Sequence, residues 1–129
     1  MNSPAFLRRV LALDSASCAA IGLLLCLDAA ALSPLFGLGE GLLFGAGLLL
    51  LPLAAFIAWL ASRPTPPSAL VWLVIAGNVA WTAESFLLIE TEAGGITALG
   101  TAFVAVQAVA VLGLALLEYV GLRRMRAAA

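Results

Sequence analysis

The chain has 129 residues, of which 64% are hydrophobic and only 10% are charged, whereas about a quarter of the residues in a soluble domain are charged. This composition excludes a soluble globular protein, and a formal net charge of −1 without a large basic cluster excludes a nucleic-acid-binding surface. The absence of histidine excludes histidine-ligated haem, His-containing zinc sites and histidine-dependent catalysis by this chain acting alone. We expect no metal and no cofactor, and we expect no enzyme activity because the sequence has no catalytic constellation.

Four apolar runs are each long enough for a transmembrane helix, which needs about 20 residues. They predict an all-α integral membrane protein, a four-transmembrane-helix bundle with short loops that forms a single domain over residues 1–129. The predicted spans are 10–32, 41–61, 68–89 and 96–122. The first ends at Ser33 and Pro34, because proline lacks a backbone donor. A cleavable signal peptide is the competing interpretation of this run, although Asp14 interrupts its apolar core.

The basic residues predict the orientation of the spans. All six would lie on one side of the membrane: Arg8, Arg9, Arg63, Arg123, Arg124 and Arg126. The positive-inside rule then places both termini in the cytoplasm of a bacterial-type inner membrane, with the proline-rich turn 63–67 inside and the acidic, glycine-containing link 90–95 outside. Amphipathic aromatic rings are enriched at membrane interfaces, and three fall at the cytoplasmic one: Trp59, Trp72 and Tyr119.

Four carboxyl groups inside the spans form a candidate proton or cation site. Asp14 and Glu118 have the same predicted depth near the cytoplasmic side, where we expect them to pair with the flanking arginines; a mouth that relays a cation or proton is the alternative. Asp28 and Glu84 lie near the external ends of their spans, where there is no arginine. They must reach water, bind a cation or take up a proton.

Helical periodicity gathers the polar side chains of the spans onto single faces. At 100° per residue, Asp14 and Asp28 point the same way, and polar stripes on the third and fourth spans should point into the bundle. A candidate polar or ligand site comprises Asn78, Trp81, Thr82, Ser85 and Gln107. Asn78 and Gln107 lie near the middle of their spans, so we expect them at matching depth, where a hydrogen bond between them would orient the helices. The alternative is an amide pair that lines a cavity, with Trp81 as one wall.

Glycines spaced four residues apart, Gly37, Gly41 and Gly45, predict a helix-contact face on the second span. Small residues with this spacing let helix backbones approach closely, and the facing helix belongs either to the same chain or to a second copy. Pro52 should bend the same helix, because it frees a backbone carbonyl.

The lack of a catalytic constellation and the glycine face predict an accessory, assembly or interaction subunit of a membrane complex. Its partners would be membrane lipids and either further copies of the chain or a larger complex, without nucleic acid. The alternatives are a small proton- or cation-coupled carrier or channel, and a lipid or apolar-ligand binding protein with a pocket between helices. In size and in the acidic residue of its first span, Asp14, the chain is similar to the small multidrug-resistance transporters. That family has a glutamate there, with aromatic motifs that this sequence lacks, so no residue role is transferred.

Overall fold

The computed structural model describes residues 3–128. Within this range the chain forms helices and no strands: α1 (Ser3–Leu27), α2 (Ala29–Phe36), α3 (Glu40–Ala61), α4 (Ser68–Thr91) and α5 (Ala98–Ala128). Four helices are long and apolar enough to cross a membrane: Pro4–Leu27, Glu40–Ala61, Ser68–Thr91 and Ala98–Ala127. The all-helical prediction with four apolar spans is confirmed, and these helices indicate a membrane protein.

The predicted end of the first span is wrong. Helix α1 ends at Leu27, and Asp28, with φ −116° and ψ 19°, separates it from α2. Pro34 lies inside α2, which continues to Phe36 and is capped by Gly37. The φ of Gly37 is 69°, a left-handed conformation that glycine adopts without the steric cost of a Cβ, so glycine rather than proline ends the helix here.

Helix α1 lies between α3 and α5, and α5 packs in turn against α4. The contact between α1 and α3 uses Gly22 and Gly47, since a Cβ on Gly47 would come 2.8 Å from the Gly22 carbonyl oxygen. Two of the three glycines of the predicted contact face touch no other part of the described chain: a Cβ added to Gly41 or Gly45 would have no neighbouring atom within 4 Å. The third, Gly37, lies against Gly95 and Thr97 of the link before α5. Gly47 is two residues beyond Gly45, about 200° around the helix, and therefore faces the other way.

Helices α3 and α4 touch mainly beside the turn that connects them. There Ile57 and Leu60 of α3 belong to the same buried cluster as Val71 and Val74 of α4. Further from the turn the two helices share few contacts, which leaves a groove between them. Pro52 lies in α3, which runs without interruption from Glu40 to Ala61.

The arginines of the described chain lie at one end of the long helices, which we call the arginine end: the start of α1, the end of α3 and the end of α5. Arg8 Nε donates to the Ala61 carbonyl oxygen at 3.0 Å, and the Arg124 guanidinium lies 4.8 Å from the centroid of the Phe6 ring. The rings of Trp72 and Tyr119 pack at the same end, with centroids 5.7 Å apart.

The opposite end, which we call the acidic end, is closed by the link between α4 and α5. Thr97 Oγ1 accepts a hydrogen bond from the Gly100 amide at 3.0 Å and donates to the Leu35 carbonyl oxygen at 2.6 Å. A threonine in this position caps a helix N-terminus, so α5 begins at Ala98 rather than at 96 as predicted. The rings of Phe36 and Phe103 stack with centroids 4.7 Å apart and fix α2 against α5.

Candidate functional site

Three buried polar side chains from three helices meet near the arginine end. Asn78 Nδ2 on α4 donates to Asp14 Oδ2 on α1 and to Glu118 Oε1 on α5, both at 2.9 Å. Asp14 is 1% exposed, Asn78 9% and Glu118 0%. Because both acceptor oxygens bind the same nitrogen, two carboxyl groups lie within about 6 Å of each other inside the protein. We call these three residues the carboxyl cluster.

The carboxyl cluster overturns the expectation that Asp14 and Glu118 pair with the flanking arginines. Helical phase turns both side chains inward, where their hydrogen-bond donor is an amide. The neighbouring arginines have other contacts: Arg8 binds the Ala61 carbonyl, and Arg123 lies 5.8 Å from the Tyr119 ring centroid. A buried carboxylate without a cation is costly, so the charge of this pair must be compensated in another way.

Two further contacts define the carboxyl cluster. Cys18, one turn after Asp14 on α1, has its Sγ 3.7 Å from Asp14 Oδ1. On the other side, Glu118 Oε2 is buried and has no hydrogen-bond partner among the residues described. The cluster thus contains one carboxyl oxygen that is shielded from water and free to carry a proton.

A second polar group lies between α4 and α5, closer to the acidic end. Trp81 Nε1 donates to Gln107 Oε1 at 2.9 Å, and Gln107 Nε2 donates to Ser85 Oγ at 3.0 Å. Thr82 Oγ1 contacts the carbonyl oxygens of Asn78 and Ala108. Asn78 and Gln107 do not share the predicted depth and have different partners, because α5 extends to Ala128 at the arginine end and its midpoint lies beyond Gln107.

The carboxyl cluster opens onto a cavity of about 150 Å³ between the helices. Asp14 and Asn78 form part of its wall, and Trp81 and Gln107 form another part. The remaining lining is mostly apolar, including Leu53 and Phe56 of α3, Leu73 and Val74 of α4, and Val111 and Leu114 of α5. An apolar lining lowers the local dielectric and strengthens any electrostatic interaction made by Asp14.

A larger cavity of about 470 Å³ continues from the first toward the acidic end. The two share Ile21, Trp81 and Gln107, and together they form the groove between α3 and α4. Glu84 lines the larger cavity and is exposed there. Asp28 is also exposed, because the helix break after Leu27 takes it off the face that holds Asp14.

The structure therefore brings together two of the four carboxylates named as a proton or cation site, Asp14 and Glu118. It places Asp28 and Glu84 elsewhere, both exposed in the other half of the molecule. The amide of Asn78, assigned from the sequence to the ligand site, joins the carboxyl cluster instead. Its nitrogen donates to both carboxyl groups, so one neutral donor lies between them.

Sequence reasoning missed the α3 wall of the groove, formed by apolar side chains such as Leu42, Leu49, Leu53 and Phe56. A stripe of leucines that lines a groove has the same sequence pattern as one that faces lipid. Within residues 3–128, no three or more His, Cys, Asp or Glu side chains are grouped to hold a metal ion. No protein family, curated protein or solved structure matches this chain significantly.

Proposed function

We propose that the protein is a small proton-coupled membrane carrier whose proton site is the carboxyl cluster, Asp14, Asn78 and Glu118. The observation that carries this proposal is that two buried carboxyl groups on different helices share one amide donor and have no arginine among their hydrogen-bond partners in the described chain. Carboxyl groups inside a membrane-spanning bundle mark ion pathways and proton relays. One proton held between them removes the need to bury two negative charges.

The route for proton exchange starts at Asp14, because this carboxyl group borders the cavity and Glu118 does not line it. Loss of the shared proton changes the net charge of the pair from −1 to −2 beside the cavity, and the added negative charge attracts a cation or a polar solute from the groove. Binding of that solute and uptake of a proton then compete for Asp14. Such competition is the elementary requirement for exchanging one against the other.

The proposal also includes the finer topology: a four-helix bundle with both termini in the cytoplasm of a bacterial-type inner membrane. Its support is the position of the arginines at one end of the helices, since basic residues are enriched in cytoplasmic loops. In this orientation the carboxyl cluster lies in the cytoplasmic half of the membrane. The groove then extends from the cluster toward the external side.

The proposed proton site is tested by infrared spectroscopy of the purified protein in lipid. We expect a band from a protonated carboxylic acid at neutral pH that disappears in Glu118→Gln, with Glu92→Gln in the exposed link as the matched control. In proteoliposomes that contain a pH-sensitive dye, an imposed gradient of an organic ammonium ion, chosen from a panel of such ions, should drive proton movement in the wild type and not in Asp14→Asn. A carboxylic-acid band that survives in both Glu118→Gln and Asp14→Asn would overturn the proposal.

An interaction subunit of a larger membrane complex is the second candidate. It is favoured by the free space above Gly41 and Gly45, which no other part of the described chain fills. Glycines with this spacing permit close approach of another helix. Under this proposal a partner protein copurifies in a fixed ratio, and Gly41→Leu abolishes the copurification. Glu118→Gln, which changes the carboxyl cluster, should leave the complex intact.

A further inference from the structure

The groove between α3 and α4 extends over most of the membrane-spanning length. Its α3 wall runs from Gly41 to Ile57, which corresponds to about 24 Å at 1.5 Å per residue. Its base is formed by α1, with Ser17 and Ile21, and by α5, with Gln107. All four long helices therefore contribute to one continuous surface.

The volume of the groove selects the shape of its occupant. The larger cavity measures about 470 Å³ and the smaller about 150 Å³. Because these volumes are spread over about four helical turns, the groove is long and has a narrow cross-section. A slender, flexible chain fits this length and cross-section, and the volume lies in the range of small-molecule sites, about 300–1,000 Å³.

The charge of the groove selects the polar group of the occupant. Glu84 lines the larger cavity, is exposed, and lies about 10 Å inside the α4 end at Thr91. None of the described residues that line either cavity is basic. A carboxylate at this depth is stabilised by a cation that the occupant supplies, because the surrounding lining is apolar.

We propose that the groove binds a single-chain amphipathic amine, with its cationic head at Glu84 and its alkyl chain running past Trp81 toward Leu53 and Phe56. The head then lies near the acidic end, where a membrane-embedded molecule reaches the polar interface. The head then faces Gly45, which lies at about the same depth as Glu84, and the alkyl chain lies along leucine side chains of α3. This site does not depend on the proton function, because Glu84 is not part of the carboxyl cluster.

Trp81 reports occupancy, because it lines both cavities at their junction. The chain has three tryptophans, so the double variant Trp59→Phe, Trp72→Phe leaves Trp81 alone. The probe is dodecylamine brominated on the alkyl chain, since bromine quenches tryptophan fluorescence on contact. We expect saturable quenching by the amine and at least about tenfold weaker binding of brominated dodecanol, the difference that one partly buried charge pair makes.

Two pairs of variants separate the head site from the chain site. Glu84→Gln should reduce amine binding to the level of the alcohol, whereas Glu92→Gln in the exposed link should not change it. Gly45→Leu should fill the groove and weaken binding of both probes. Gly113→Leu is its matched control, because Gly113 also has no atom within 4 Å of an added Cβ but does not line the groove.

Equal, non-saturable quenching by both probes, or unchanged amine binding in Glu84→Gln, would overturn the groove proposal. The proposal would also be overturned if another helix filled the groove. In that case neither probe would quench Trp81, and Gly45→Cys would cross-link to a second polypeptide. Asp14→Asn and Glu118→Gln distinguish the two proposals. These two variants should lose the carboxylic-acid band and keep saturable amine binding. If only the groove proposal is wrong, the wild-type protein still shows the band but does not bind the amine saturably.

Discussion

Asn78 binds two acidic side chains of different helices through a single amide nitrogen. An amide suits this position because it is a neutral donor: it satisfies one oxygen of each carboxyl group without adding a charge to an apolar interior. Asp14 and Glu118 depend on it in turn, since a buried polar atom without a partner destabilises the folded state.

We therefore expect Asn78→Ala to lower the free energy of unfolding by about 1–3 kcal/mol, the usual cost of leaving buried polar groups unpaired. Unfolding in mixed micelles, followed by tryptophan fluorescence, measures this change. Ser17→Ala is the control, because Ser17 borders the same cavity without belonging to the carboxyl cluster. Equal effects of the two variants would show that Asn78 contributes only through packing.

At the scale of the helices, glycines with the same chemistry have different roles because they face different neighbours. In α3, Gly47 lies against α1, whereas Gly45 faces the groove. At the acidic end, Gly100 of α5 lies against α2, where a Cβ would overlap the Phe36 carbonyl oxygen. Close backbone contact thus occurs where the packing of neighbouring helices demands it, and not where the spacing of glycines is most regular.

Gly47→Leu and Gly45→Leu should consequently differ although they are two residues apart. A side chain at Gly47 collides with the Gly22 carbonyl and with Cys26, so α1 and α3 must separate, at a cost of about 1–3 kcal/mol. A side chain at Gly45 extends into open space and should leave the unfolding midpoint nearly unchanged. The same micelle-unfolding measurement compares them, and a larger loss for Gly45→Leu would contradict this packing of α1 and α3.

At the scale of the whole molecule, charge is separated along the long helices. The arginines lie at one end, and exposed acidic residues such as Glu40, Glu90 and Glu92 lie at the other. Since basic residues resist translocation, we expect this separation to orient the molecule in a membrane. The carboxyl cluster then lies in the half of the molecule that holds the arginines, and the groove opens beside Glu84 in the other half.

Site-directed labelling tests this orientation. In a variant without Cys18 and Cys26, a membrane-impermeant maleimide added to intact spheroplasts should label Ala93→Cys and should not label Thr65→Cys. Both positions are exposed in turns, one at each end of the long helices, so their reactivity differs only by side. Permeabilised cells provide the control, in which both must react. Labelling of Thr65→Cys alone would show that the topology is the inverse of the one proposed.

The sequence by itself determined the number of long apolar helices, the common depth of Asp14 and Glu118 and the one-sided arrangement of the arginines. These properties follow from local hydrophobicity and helical periodicity, which each segment carries without its neighbours. The same reasoning did not predict the helix boundary at Asp28. It also placed the end of the helical region at Pro34, whereas the left-handed Gly37 ends it.

Only the tertiary structure decided which polar groups meet. Asn78 pairs with Asp14 and Glu118 and not with Gln107, because the relative shift of α4 and α5 depends on packing across the whole interface. The groove likewise has no sequence signature, since side chains that line it and side chains that face lipid are equally apolar. Such pairings depend on distances between separate helices, which composition and periodicity within one helix do not contain.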